Sequence, residues 1–296
     1  MLDPFRRALM AALTVGACCG FMLTVADAAA AKTTREHRHA QRPTARAARA
    51  ALVAYLKHSN ALDMRAPGTG FSHSNATITA DYSFNWSGYL DSSSTTGDFT
   101  QVSASWKVPK VTCTPEDQLA SDWVGIDGVS DSTVEQDGTT GWCYEGTATY
   151  YTWWEMYPTN AEQNVGDTVK PGDVITSTVK RSGQSYTLTV TDATTSGNSF
   201  STTQTCSATC DDTSVEWIAE RPSFSIGIAP FVDQGTWKPT STTEEQTSDT
   251  SPQPITAGPN TASITMLDAT QAYFLSTPSA LGTAGTKFTD VWDNSW

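Results

Sequence analysis

Polar and apolar residues alternate in short runs along the chain beyond residue 80, which is the pattern of β-strands with one buried face. Turn-forming stretches such as Pro171–Asp173 and Thr195–Asn198 separate the runs. Many short strands at this spacing predict an all-β fold, an antiparallel sandwich or barrel. Residues 236–260, dominated by Thr, Pro, Ser and Glu, are predicted to form one long surface loop. The predicted strands are Phe99–Val108, Asp122–Asp127, Thr149–Tyr157, Asp173–Lys180, Ser185–Asp192, Ser214–Glu220 and Ser263–Met266.

The strand predicted at Ser214–Glu220 carries two carboxylates on one face. Side chains repeat every two residues along a strand, so Glu216, Ile218 and Glu220 share a face while the apolar residues between them point the other way. Acidic residues are rarely buried unless they are paired. This face is therefore a candidate for catalysis or binding.

The first 30 residues have the features of a secretory signal peptide. A basic start is followed by an apolar core, Ala8–Val25, and by small residues at Ala26–Ala30 that suit cleavage. The mature protein is therefore expected to be secreted. Lipoprotein processing at Val15–Cys18 is an alternative, although the apolar run continues past it. No other run approaches the roughly 20 apolar residues of a membrane-spanning helix, so no membrane association is expected after signal removal.

Residues 31–75 are predicted to be a basic propeptide and its connector, followed by a single β domain at residues 76–296. A helix-forming run lies at Ala45–Lys57. One hypothesis is that this segment docks on the acidic domain by charge and leaves when acid protonates carboxylates. The alternative is a solvated linker.

Charge is distributed unevenly between these parts. The whole chain has 18 basic and 31 acidic residues, but from residue 67 onward there are 8 basic and 27 acidic residues, a net charge of −19. A nucleic-acid partner is disfavoured for the domain, because its few basic residues are far outnumbered by acidic ones and could not neutralise phosphates.

Histidine is missing from the predicted domain. All four histidines, at positions 37, 39, 58 and 73, precede residue 75. A Ser-His-Asp or Cys-His nucleophile system and a histidine-ligated zinc site are therefore excluded there. If the domain is an enzyme, its proton transfers are expected to be carried out by carboxylates.

Four cysteines remain once the signal peptide is removed, which predicts two disulfides in an exported chain. Three pairings are possible. We favour Cys113 with Cys143 and Cys206 with Cys210, because each of these pairs consists of cysteines that are nearest to each other along the chain.

Aromatic residues concentrate on the strand at Thr149–Tyr157. Trp153, Glu155 and Tyr157 would share one face of it, and Trp154 would lie on the other. Two aromatic rings beside a carboxylate are awkward to bury completely. We therefore expect this face to line a cleft rather than the core.

Five motifs in order resemble those of the glutamic peptidases, or eqolisins, over roughly residues 82–233. In that family the fold is a concanavalin A-like sandwich of two large antiparallel sheets, and the activity is acid endopeptidase cleavage of polypeptides. The resemblance implies a monomeric enzyme without cofactor or metal. The motifs are Asn85–Tyr89, Trp106–Pro109, Trp123–Gly128, Trp153–Pro158 and Glu216–Glu220.

The resemblance also assigns the site. The family's catalytic pair is a glutamine and a glutamate, which here correspond to Gln136 and Glu220. Glu220 would activate a water molecule, and Gln136 would donate a hydrogen bond to the oxyanion. The positions that correspond to cleft residues, expected to support the pair or contact substrate, are Asp127, Trp153, Glu155, Tyr157 and Trp86.

Three alternatives remain open at this point. Glu216 could be the base instead of Glu220. The domain could be a β-sandwich glycoside hydrolase, but Glu216 and Glu220 lie roughly 13 Å apart along a strand. Glycoside hydrolases need carboxyl groups about 5 to 9.5 Å apart, so Glu155 would have to take part. A carbohydrate-binding module would need only the aromatic faces.

Overall fold

A computed structural model describes residues 79–294 except 130, 166–168, 196, 225–226 and 256–259. The predicted signal peptide, the propeptide and its helix at Ala45–Lys57 lie outside the described residues. Within the described part, there is no helix long and apolar enough to cross a membrane.

The described residues form an all-β fold, as predicted. The strand predictions at Phe99–Val108 and Ser185–Asp192 agree with the structure within a residue at each end. The strands are β1 (Thr79–Ser83), β2 (Trp86–Ser92), β3 (Phe99–Lys107), β4 (Gln118–Ile126), β5 (Val134–Tyr144), β6 (Thr147–Tyr157), β7 (Asn160–Asn164), β8 (Val174–Ser182), β9 (Ser185–Asp192), β10 (Phe200–Thr205), β11 (Ser214–Glu220), β12 (Ser223–Phe224), β13 (Gly227–Ile228), β14 (Thr236–Trp237), β15 (Thr240–Gln246), β16 (Gln253–Pro254), β17 (Thr261–Leu267), β18 (Phe274–Pro278) and β19 (Asp290–Trp292).

Two large sheets contain most of these strands, which confirms the predicted two-sheet architecture. The first sheet has the order β14-β19-β18-β17-β2-β11-β4-β5-β6-β7, with β1 pairing parallel to β17. The second has the order β10-β9-β8-β3-β15-β16, and β12 pairs with β13 separately. Strand β11 therefore lies near the middle of the first sheet, between β2 and β4.

The apolar face of β11 forms part of the core between the sheets. Val215, Trp217 and Ala219 are fully buried in the main hydrophobic cluster. The Trp217 indole N–H donates to the Ser103 carbonyl of β3 at 3.0 Å, so the ring also connects the two sheets. The predicted alternation along β11 therefore decides which of its faces packs in the core and which carries the carboxylates.

The prediction of one surface loop at residues 236–260 is wrong. This segment contains β14, β15 and β16, and β15 pairs with β3 in the second sheet. Trp237 is fully buried, with its ring 5.7 Å from that of Trp106. The inward-facing residues of β15 include Thr242 and Glu244, which are polar. A search for alternating apolar residues therefore does not detect this strand.

Both favoured disulfides are present. Cys113 is bonded to Cys143, which ties the segment before β4 to the end of β5. Cys206 is bonded to Cys210 in the connection between β10 and β11. Two disulfides are what an oxidising, extracellular environment permits.

A pair of buried acidic residues also joins the sheets. Asp91 of β2 and Glu244 of β15 are 8% and 4% exposed, and their carboxyl groups form a hydrogen bond. A bond between two carboxyl groups needs a proton on one of them. Burial raises the pKa of Glu244, and the neighbouring charge of Asp91 raises it further.

This pair should make the fold less stable as pH rises. The unfolded chain releases the Glu244 proton above the ordinary pKa of a glutamate, about 4.3, whereas the folded chain retains it. Between the pKa of Glu244 in the unfolded chain and its higher pKa in the folded chain, the loss of this one proton on unfolding lowers the free energy of unfolding by about 1.4 kcal/mol per pH unit. Glu244→Gln, which cannot ionise, should therefore show a shallower decline in a series of urea titrations at increasing pH.

Glu116→Gln removes a charge from an exposed position and is the matched control, expected to behave like the wild type. Equal slopes for the wild type and Glu244→Gln would show that the pair holds no proton.

Candidate active site

The face of the first sheet opposite the core brings together the polar residues of β11, β4, β5 and β6. Strand pairing aligns Ile218 with Trp123, Trp123 with Gly138, and Gly138 with Trp153. Residues two positions away on each strand share this face. Glu216, Glu220, Gln136 and Glu155 therefore lie on it.

Glu220 is the last residue of β11 and is fully buried. Its Oε2 atom accepts a hydrogen bond from the Trp123 indole N–H at 2.8 Å. Its Oε1 atom accepts one from the Asn85 side-chain amide at 3.0 Å. Two donors of fixed direction hold the carboxyl group in one orientation.

These two donors are themselves held in place. The Ser83 hydroxyl donates to Asn85 Oδ1 at 3.0 Å, which leaves the amide group of Asn85 directed at Glu220. The Trp123 ring packs edge-on against Trp86, with centroids 5.0 Å apart. Asn85 and Trp123 belong to two of the family motifs, but no role was predicted for them from the sequence. Their side-chain N–H groups, which can donate to a carboxylate, were the feature that could have indicated it.

Burial raises the pKa of Glu220 well above its ordinary value, because it disfavours the charged form. The hydrogen bond from Trp123 opposes this rise, the negative charge of Glu155 adds to it, and the bond from Asn85 opposes it. The net effect is that Glu220 holds its proton more strongly than an exposed glutamate does.

Gln136 is the third residue of strand β5. Its segment, β5, was missed because Glu135, Gln136 and Asp137 form a polar run ahead of Gly138. Gln136 is fully buried, and its amide donates to Glu155 Oε2 at 2.7 Å. Its Oε1 atom has no hydrogen-bond partner among the described residues. The Gln136 carbonyl is therefore available to a water molecule or a substrate.

Glu155 connects the two candidate catalytic residues. It sits directly across from Gln136 on β6 and is fully buried. It bonds to Gln136 and acts electrostatically on Glu220. By register, Gln136 is two strands from Glu220 and four residues further along, so the two residues are not direct neighbours in the sheet.

A glycine in β5 permits the packing beneath the site. A Cβ atom on Gly138 would lie 2.3 Å from the Asp122 carbonyl and 2.7 Å from Trp123 Cβ. Neither distance is tolerable for a carbon atom. Any side chain at Gly138 would therefore displace Trp123, the donor to Glu220.

The remaining predicted site residues divide into two groups. Trp86 and Trp153 are fully buried on the site's face, and Tyr157 is half-buried at the end of β6. Asp127 follows β4 at the end away from Glu220, whose partner on β4 is Ser121. Six residues of strand separate the two positions, roughly 20 Å.

Asp127 therefore does not touch Glu220. Its two carboxylate oxygens accept the backbone N–H groups of Asp212 and Thr213, each at 2.8 Å. The side chain fixes the turn that leads into β11 and is fully buried.

Comparison with known proteins identifies the family of the chain. The chain matches the peptidase A4 family over residues 84–287. It is 31% identical to aspergillopepsin-2 of Aspergillus niger over 241 residues, covering 74% of this chain and 82% of that protein.

Two solved structures share the fold. Scytalido-glutamic peptidase with a transition state analog inhibitor aligns with a TM-score of 0.58 at 23% identity, over 71% of this chain and 98% of that chain. SCP-B, a member of the eqolisin family in complex with the tripeptide Ala-Ile-His, aligns with a TM-score of 0.54 and the same identity and coverage.

The family match spans more than half of the chain, and the relative exceeds 30% identity over more than two thirds of it. These findings decide between the peptidase and the two carbohydrate-directed alternatives. The chain is a member of the peptidase A4 family, the glutamic peptidases or eqolisins, and is a hydrolase of peptide bonds.

Proposed function

We propose that the chain is a secreted acid endopeptidase in which Glu220 is the general base and Gln136 stabilises the oxyanion. The observation that carries this proposal is the environment of Glu220. It is a fully buried carboxyl group held by two N–H donors on the same sheet face as an amide with a free acceptor. Among the described residues, no cation acts on it in the way expected of a structural ion pair.

The proton steps follow from these positions. Glu220 removes a proton from a water molecule as that water attacks the scissile carbonyl carbon, and it then returns the proton to the leaving amine. The Gln136 amide donates to the oxyanion, and its carbonyl orients the water. Gln136 never ionises, so its two roles do not depend on pH.

Glu155 has a positioning role in this scheme. Its hydrogen bond holds the Gln136 amide, and its charge raises the pKa of Glu220. A raised pKa makes Glu220 a stronger base once it is ionised.

Substrate binding is assigned to the aromatic and acidic residues around the pair, Trp86, Trp153, Glu155 and Tyr157, whereas Asp127, also predicted for this role, fixes the turn before β11. The aromatic rings supply apolar surface for substrate side chains. Trp86 and Trp153 are fully buried in the structure. A polypeptide can therefore contact them only after the residues that cover this face of the first sheet have moved. We expect a monomer that binds no nucleic acid, consistent with the acidic domain.

Replacing Glu220 with Gln should abolish proteolysis. The change keeps the shape and removes the base, so kcat should fall by about 10² to 10⁴-fold. The measurement is cleavage of denatured casein at acid pH in the presence of pepstatin, with circular dichroism to verify the fold. Glu216→Gln, on the same strand and face, is the matched control and should retain activity. The reverse pattern would make Glu216 the base.

Gln136→Ala should lower kcat by about 10² to 10³-fold with little change in KM, because an oxyanion donor acts mainly in the transition state. The control is Gln163→Ala, an exposed glutamine on β7. Wild-type turnover in Gln136→Ala would remove Gln136 from the mechanism without affecting the role of Glu220.

A further inference from the structure

A second cluster of carboxylates lies at the other end of the sheet, away from Glu220. Asp127, Glu135 and Asp212 each place one carboxylate oxygen within 4.8 Å of the other two. They are 0%, 1% and 4% exposed. The proposed reaction requires no metal and does not explain why three carboxylates should be buried together here.

Glu135 is the residue that makes this cluster unusual. Its Oε2 atom has no hydrogen-bond partner among the described residues. Its Oε1 atom lies 3.1 Å from Cys210 Sγ, but that sulfur is in a disulfide and has no proton to donate. A buried carboxyl group without a donor calls for an explanation, such as a bound ion.

We propose that Asp127, Glu135 and Asp212 bind a divalent cation of the Ca²⁺ type that stabilises the fold. The proposal is independent of the catalytic assignment.

The charge and spacing of the cluster fit this ion. Arg181 contacts Asp212 at 3.3 Å, so the three carboxylates and this guanidinium carry a net charge of −2 when ionised, which favours a divalent cation. The Asp131 carboxyl group, which is hydrogen-bonded to Asp127, adds to the negative potential. Oxygens on opposite sides of Ca²⁺ lie about 4.6 to 5.2 Å apart, twice the metal–oxygen distance. A separation of up to 4.8 Å is within that span.

The other ligand atoms are already held in place. Asp127 is fixed by the N–H groups of Asp212 and Thr213, and the Tyr186 hydroxyl donates to Asp212. Oxygen ligands suit Ca²⁺ and exclude soft metals. The absence of histidine excludes a histidine-ligated zinc site in the domain, but it has no bearing on an all-oxygen site.

An entry route leads to the cluster. A cavity of about 340 Å³ borders it, and Tyr186, Cys210 and Asp212 are in its wall. The exposed residues Gly183 and Gln184 also line the cavity, so it reaches the surface. Waters in this cavity would complete a coordination shell that three carboxylates leave unfilled.

The first test is thermal unfolding of the purified, EDTA-treated protein at neutral pH. Added Ca²⁺ should raise the Tm in a saturable way, by about 5 to 10 °C at 100 times the dissociation constant. NaCl of equal ionic strength is the control for screening. Isothermal titration calorimetry should give one ion per chain. A Tm that responds equally to NaCl and CaCl₂ would overturn the proposal and indicate that the cluster holds protons instead.

The second test uses Glu135→Gln, which keeps the shape and removes one ligand charge. It should lose the Ca²⁺-dependent Tm rise, whereas Glu116→Gln, at an exposed position, should retain it in full. If Glu135→Gln retains the rise, the site is elsewhere and the proposal fails.

A third measurement covers the case in which that variant does not fold. Tb³⁺ luminescence of the wild-type protein should saturate and be displaced by Ca²⁺. Tb³⁺ binding that is absent, or that Ca²⁺ does not displace, would refute the proposal without any variant. Asp212→Asn provides a further variant with the same expected loss.

Discussion

The rest of the site depends on the hydrogen bonds that Trp123 and Asn85 donate to the buried carboxyl group of Glu220. Burial alone would favour the neutral acid, and an isolated buried carboxylate would be costly. Two N–H donors oppose that effect without adding a charge of their own. A cation in their place would hold Glu220 permanently ionised and weaken it as a base.

The sandwich supplies the rigidity that this interaction needs. Glu220 and Trp123 lie on neighbouring strands near the middle of the first sheet, where each strand is paired on both sides. Apolar residues of β11 pack against the second sheet, so the strand cannot rotate to expose Glu220. Gly138 allows the Trp123 backbone and ring to come close enough to the next strand. Core packing on one face thus fixes the chemistry on the other.

Sequence alone predicted the fold class, the β11 alternation, the disulfides and the family, because each depends on local pattern or on motifs. It failed where polar residues point inward. The segment with Glu244 and Thr242, in β15, was predicted to be a loop, and no strand was predicted around Gln136. Both segments are strands because neighbours distant in the chain pair with them, and single-residue propensity does not report such pairing.

For the site, the sequence indicated candidate residues but not the contacts between them. Glu220 and Gln136 came from the family motifs, and the structure places them on one sheet face. The bond between Gln136 and Glu155 depends on strand register, which the sequence does not specify without its partner strand. The position of Asp127 behind the turn at Asp212 is likewise a property of the tertiary fold.

The dependence of kcat/KM on pH in Trp123→Phe tests the central claim most directly. The change keeps an aromatic ring and removes the N–H group that stabilises ionised Glu220. The pKa of Glu220 should therefore rise, and the acidic limb of the profile, which reports ionisation of the base in the free enzyme, should move to higher pH. Trp154→Phe, on the opposite face of β6, should leave it in place. An unchanged acidic limb in Trp123→Phe would contradict the assignment of Glu220 as the base.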